Sequence, residues 1–161
     1  MLKISKLTHV SKSSTKSKNK HKDANSPKHK EHAKYRDPQG TRNAPSDNPP
    51  SKIWYQGVPN SEAFVEARIK ASTDSRGRKR KLVGYAIVLS FPNHLVAYFN
   101  ALPYEDKDAI LEQMDVFYLE MLNKQFPGPA RTDARHTDKH RPHYESYILK
   151  YDPGGEIDIS T

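Results

Sequence analysis

An α+β domain, an antiparallel sheet with helices packed on one face, is the fold class that this sequence predicts, preceded by a disordered basic N-terminal tail. Three observations predict it. Polar residues and prolines fill the first 50 positions almost without large apolar side chains. From Ile53 onward, apolar and amphipathic runs follow the order strand, helix, strand, helix, strand. A chain of 161 residues has room for one domain of ordinary size.

Residues 1–50 hold 12 Lys and Arg against 4 Asp and Glu, so the whole formal net charge of +8 lies there, and residues 51–161 balance. Beyond Leu2, Ile4, Leu7 and Val10 the segment has little to bury, too little to offset the chain entropy that folding removes. Pro38, Pro45, Pro49 and Pro50 mark its last part, from Asp37 to Ser51, as a linker. The expected division is therefore a tail and linker over 1–50 and a folded domain over 51–161. A basic tail attracts polyanions, of which nucleic acid is the commonest inside a cell. The plain alternative is a tail that only keeps the chain in solution.

Within the domain, Ile53-Trp54-Tyr55 reads as a short strand stopped by Gly57-Val58-Pro59. Asn60 or Ser61 can cap a helix running to Ala71, with Phe64, Val65 and Ile69 on its apolar side. Ser75 to Arg80 is a basic turn. Leu82 to Phe91 is the most apolar stretch and predicts a buried strand. His94 to Asn100 fits a helix or a strand. From Glu105 to Gln125, Ile110, Leu111, Met114, Phe117, Tyr118, Met121 and Leu122 recur at helical spacing. Glu105, Asp106 and Asp108 suit that helix's positive end and Lys124 its negative end. Pro127-Gly128-Pro129 stops it. A loop, a His-rich segment, a final strand and a turn at Pro153-Gly154-Gly155 complete the chain.

Several classes are excluded or disfavoured by composition. Without Cys there is no disulfide, thiolate zinc site or Cys nucleophile. No apolar run approaches the ~20 residues of a membrane helix. The N-terminus carries Lys3 and Lys6 but no apolar core of a signal peptide. A soluble cytoplasmic protein with no membrane partner and no small-molecule cofactor is expected.

The densest chemistry lies in His136-Thr137-Asp138-Lys139-His140-Arg141-Pro142-His143-Tyr144-Glu145. His143 and Glu145 alternate, so on a strand both point to one face. His136, across a turn, can fold back onto that face. Three ligands converging there suit a metal ion that acts on a phosphate ester. The plain alternative for each His is a surface or hydrogen-bonded residue.

That segment resembles the metal-binding motif of plasmid-mobilisation relaxases, members of the HUH endonucleases: His-x-Asp, a short polar stretch, a Pro, then His-hydrophobic-His and a strand. Upstream, Gly84 to Pro92 resembles the relaxase strand ending in Leu-Ser-Phe-Pro, and the helix from Glu105 falls where the family has a long helix. Ala33-Lys34-Tyr35 with Gly40 and Arg42, then Gln56-Gly57-Val58-Pro59, is similar to the family's nucleophile motif and the segment after it. The resemblance spans residues 33 to 160. Glu145 stands where the family has its second His, and Ala86 where many relatives have a His.

The resemblance implies a metal site on a central strand, with His136, His143 and Glu145 as ligands of Mg²⁺ or Mn²⁺. It implies Asp138 as an outer group that orients a ligand or the tyrosine, and Tyr35 as nucleophile, with Tyr55 competing. The implied reaction is metal-dependent nicking of single-stranded DNA by tyrosine transesterification through a 5′-phosphotyrosine. Lys34, Arg36, Arg76, Arg78, Lys79, Arg80 and Arg141 are the expected DNA contacts. A non-catalytic DNA-binding accessory protein on the same fold is the alternative, and an RNA-binding protein a more distant one.

Overall fold

The computed structural model describes residues 1–8, 47–152 and 155–156. Its elements are β1 (Leu2–Leu7), β2 (Lys52–Gln56), α1 (Ser61–Ala71), β3 (Gly84–Ser90), α2 (Asn93–Ala101), α3 (Tyr104–Gln125), β4 (Arg131–His136) and β5 (His143–Leu149). The five strands form one sheet in the order β1-β3-β5-β4-β2, every pair antiparallel, so β5 is central. Two short strands, β6 (Tyr151–Asp152) and β7 (Gly155–Glu156), pair separately. The α+β class and the antiparallel sheet agree with the sequence. Tyr35, Lys34 and Arg36 lie outside the described residues.

The expectation of helices on one face is corrected. Successive residues of β5 point to opposite faces, and each face has its own helix. Leu149 packs with Phe64, Ala67 and Ala71 of α1, together with Val83 and Ala130. Tyr144 and Ile148 pack with Tyr118 and Leu122 of α3, together with Ile87. α2 lies beyond the end of β3, where Val96 and Phe99 join Phe91 and Leu111. The Phe91 and Phe99 rings meet edge to face at 5.1 Å. The stretch from His94 to Asn100 is thus helical, because its apolar residues fit a cluster between α3 and the sheet.

Local signals explain where elements begin. Asn60 caps α1, its Oδ1 accepting the Ala63 N–H at 2.8 Å. Gly57 turns the chain out of β2 at φ 71°, and a Cβ there would stand 3.3 Å from the Ala130 Cα. Gly84 opens β3 because a Cβ would stand 2.0 Å from the Ile148 carbonyl oxygen, so backbone and β5 could not pair.

Two strands depart from the reading of the sequence. β1 lies inside the stretch assigned to the tail: Leu2 to Leu7 pair along β3 from Leu89 to Gly84. β4 occupies part of the expected loop. Its sequence, Arg-Thr-Asp-Ala-Arg-His, has one apolar residue, yet Arg131 to Arg135 are all buried. Partners from α3 and β5 make that possible. Arg135 donates to Asp115 Oδ2 at 2.6 Å, and the Tyr144 hydroxyl donates to Asp115 Oδ1 at 2.7 Å. Arg131 pairs with Asp133 at 2.9 Å and donates to Asn123 at 2.7 Å. Ser146 donates to Asp133 at 2.6 Å and shares a 2.7 Å hydrogen bond with the Tyr118 hydroxyl. Burial pushes the Asp133 carboxyl above its ordinary pKa despite Arg131, and pushes the Tyr118 and Tyr144 phenols well up. The layer between the sheet and α3 thus combines an apolar cluster with a buried hydrogen-bonded network.

Candidate metal centre

Sheet register brings the three candidate ligands together. β4 and β5 pair so that His136 stands opposite His143, and Glu145 opposite Ala134. Directly opposed residues share a face, and so do residues two apart on one strand. His136, His143 and Glu145 are therefore neighbours on one face of β4 and β5. Each offers one ligand atom, and those atoms all lie within 4.8 Å of one another. All three are half-buried.

Surrounding groups orient them. His143 Nδ1 lies 3.2 Å from the Arg141 carbonyl, so an Nδ1–H donates there and Nε2 is left as the candidate ligand atom. Burial lowers the His143 pKa, and the neighbouring His136 ring adds to it, which favours the neutral, ligating imidazole. His136 Nε2 lies 3.4 Å from Glu145 Oε2. On the other Glu145 oxygen, Oε1 accepts the Tyr147 hydroxyl at 2.9 Å. Burial together with that carboxylate pushes the Tyr147 phenol up.

Asp138 lies just past β4, with Oδ1 4.0 Å from His136 Nδ1. That is longer than a hydrogen bond, and it places the Asp138 carboxyl on the Nδ1 side of the His136 ring. Arg141 is beside the cluster, its carbonyl on His143 and its guanidinium donating to Asn93 Oδ1 at the start of α2. His140 holds the same loop to α2, its carbonyl accepting from Asn100 at 2.9 Å.

The structure separates the basic turn from this cluster. His143 pairs with Ser90 at one end of β3, whereas the turn leads into Gly84 at the other. Six residues of strand span about 20 Å. There Arg78 pairs with Asp74 at 2.9 Å, whose carboxyl is held down by the Arg78 backbone N–H, and the Arg80 guanidinium lies 3.8 Å over the Tyr151 ring. Arg76 and Lys79 are exposed. Tyr55 is also remote: it pairs with Thr132, four residues along β4 from His136, and its hydroxyl bonds Ser61 at 2.8 Å.

Sequence reasoning missed Tyr147 and the segment before β2. The alternation that joins His143 to Glu145 extends to Tyr147 and could have found it. The segment over residues 47–51 appeared only as a Pro-rich linker. It runs beside Thr137, whose Oγ1 donates to the Pro49 carbonyl at 2.5 Å, and Asn48 donates to the Thr137 carbonyl at 3.1 Å.

Among known proteins, no family model, no curated protein and no solved structure matches this chain.

Proposed function

We propose that this chain is a metal-dependent endonuclease that nicks single-stranded DNA through a covalent tyrosine intermediate, acting in the cytoplasm. The observation that carries the reading is the meeting of two imidazoles and a carboxylate at neighbouring register positions on the central strand and β4. Within that set the carboxylate oxygen of Glu145 is the donor that accommodates a hard cation, Mn²⁺ or Mg²⁺. No helix of the described residues is long and apolar enough to cross a membrane.

His136 Nε2, His143 Nε2 and Glu145 Oε2 would hold the ion. When bound, it supplies positive charge to the non-bridging oxygens of a phosphodiester. The chain's own groups prepare the rest. The Arg141 carbonyl fixes the His143 tautomer, Tyr147 turns Glu145, and Asp138 places negative charge behind His136. Tyr35 attacks phosphorus through its hydroxyl oxygen, losing its proton to solvent. The bond from phosphorus to the 3′ oxygen breaks, and that oxygen leaves as a 3′-hydroxyl after taking up a proton. The phosphotyrosine retains the bond energy needed to rejoin the strand.

Tyr35 lies 12 positions before Asp47. An extended chain of that length spans up to about 40 Å, and Asn48 is anchored one residue from His136. The cluster is thus within the nucleophile's reach. Lys34, Arg36 and Arg141 would hold backbone phosphates near the scissile bond, and Arg76 to Arg80 phosphates at the far end of the sheet.

The test is incubation with labelled single-stranded DNA and Mn²⁺, followed by denaturing electrophoresis. A denaturant-resistant adduct that maps to Tyr35 and disappears in Tyr35→Phe supports the reading. No adduct across varied sequences, with DNA affinity retained, replaces it by the accessory DNA-binding reading.

A further inference from the structure

His136 sits where the sheet runs out on one side, paired with His143 of β5 but, among the described residues, with no partner strand on the β2 side. The β2–β4 ladder ends at the pair Lys52 and Arg135, so the last residue of β4 extends past the start of β2. Strand ends beyond a ladder fray unless something else ties them. The chain preceding β2 continues alongside, but Pro49 and Pro50 have no N–H to donate to a ladder.

Side chains replace the missing ladder. Ser51 Oγ accepts the Thr137 N–H at 3.0 Å, and the Thr137 hydroxyl donates to the Pro49 carbonyl at 2.5 Å. Asn48 Nδ2 donates to the Thr137 carbonyl at 3.1 Å. Arg135 Nη2 donates to the Pro50 carbonyl at 2.8 Å, and Lys107 of α3 pairs with Asp47 at 3.1 Å. All five residues over 47–51 are tied down, and both sequence neighbours of His136 do part of the tying. Thr137 is buried, and its N–H, carbonyl and hydroxyl are all engaged by this strap.

We propose that the strap over residues 47–51 is a positioning element for the metal ligand His136, acting through Thr137. The inference rests on the metal reading of the cluster. Thr137 touches neither ion nor substrate. It fixes the backbone between His136 and Asp138, so the imidazole meets His143 and Glu145 without a search through strand-end conformations. Outer contacts of this kind commonly change metal affinity ten- to a hundredfold.

The experiment is Mn²⁺ titration of the full chain, with unbound Mn²⁺ read by electron paramagnetic resonance, for wild type, Thr137→Val and Thr137→Ser. Valine keeps the shape and loses the hydroxyl, and serine keeps the hydroxyl. The expected result is affinity weakened roughly tenfold or more in Thr137→Val and restored by serine, with DNA affinity unchanged in both. If Thr137→Val does not fold, Ser51→Ala removes the acceptor of the Thr137 N–H from the strap side, with the same loss expected. Wild-type affinity in the folded valine variant, or in Ser51→Ala, overturns the positioning role and leaves the metal reading intact. A wild-type chain that takes up no Mn²⁺ overturns both.

Discussion

His136, the last residue of β4, stacks on His143, the first residue of β5, with ring centroids 4.9 Å apart and planes 27° from parallel. Antiparallel pairing produces that contact: the strands are joined by a short loop, so the two ends must face each other. Glu145 joins from two residues further along β5. The cluster is thus a property of sheet register, and changes that leave the register alone should change its chemistry without unfolding the chain.

His143→Ala is the first such change. The residue is half-buried at a strand end, outside the three apolar clusters. Mn²⁺ affinity should fall at least about tenfold, and adduct formation with it. The DNA binding proposed for the basic residues should persist, with the same steep dependence on salt as in the wild type. Titrations at two salt concentrations check both halves, and a simultaneous loss of metal and DNA binding would point to a folding defect.

Glu145→His tests the carboxylate by exchange. Two imidazoles and a carboxylate accommodate Mn²⁺, whereas three imidazoles favour Zn²⁺ more strongly. The variant should therefore retain a metal site and shift its preference from Mn²⁺ toward Zn²⁺ in a competition titration. An unchanged preference means that Glu145 is not a ligand.

Acid should loosen the fold through His143. Burial and the His136 ring hold its folded pKa below the ordinary value. The unfolded chain binds that proton near pH 6.5, the folded chain only at lower pH. The contribution is fully present above about pH 6.5 and is lost as pH falls toward the lowered value. Denaturant midpoints measured from about pH 5 to pH 8 should fall on the acid side in wild type and fall less in His143→Gln. Parallel curves for the two proteins contradict this.

Asp115→Ala attacks the layer beneath the site. Arg135 is fully buried, and Asp115 is its carboxylate partner at 2.6 Å. Removing it leaves a buried guanidinium without its counter-charge, which costs about 3–5 kcal/mol. Urea unfolding checks the loss. A loss below about 1 kcal/mol, as for a surface pair, would contradict the buried pairing.

Much of the fold was legible because it obeys simple periodicities. The Asn60 cap and the β3 apolar run each state their structure locally, and so does the α3 stripe apart from Phe117, which the fold leaves exposed. The in-phase pair His143 and Glu145 was legible for the same reason. β4 was not, since its burial depends on Asp115 and Asn123 of α3 and Ser146 of β5, which only the fold brings near. β1 did carry the alternation Leu2-Lys3-Ile4-Ser5, but the charge of the residues after it dominated the composition. Helices on both faces followed from Leu149 and Ile148 being adjacent and both fully buried, a burial that sequence alone does not reveal. The strap was hidden because Pro49 and Pro50 signal a linker whether or not Thr137 and Arg135 wait to hold their carbonyls.

Whether His136, His143 and Glu145 hold one ion is read most directly from anomalous X-ray diffraction by crystals grown with Mn²⁺. The expected result is a single strong peak about 2.2 Å from His136 Nε2, His143 Nε2 and Glu145 Oε2. Well-ordered side chains with no peak among them, or a peak elsewhere on the chain, would contradict it.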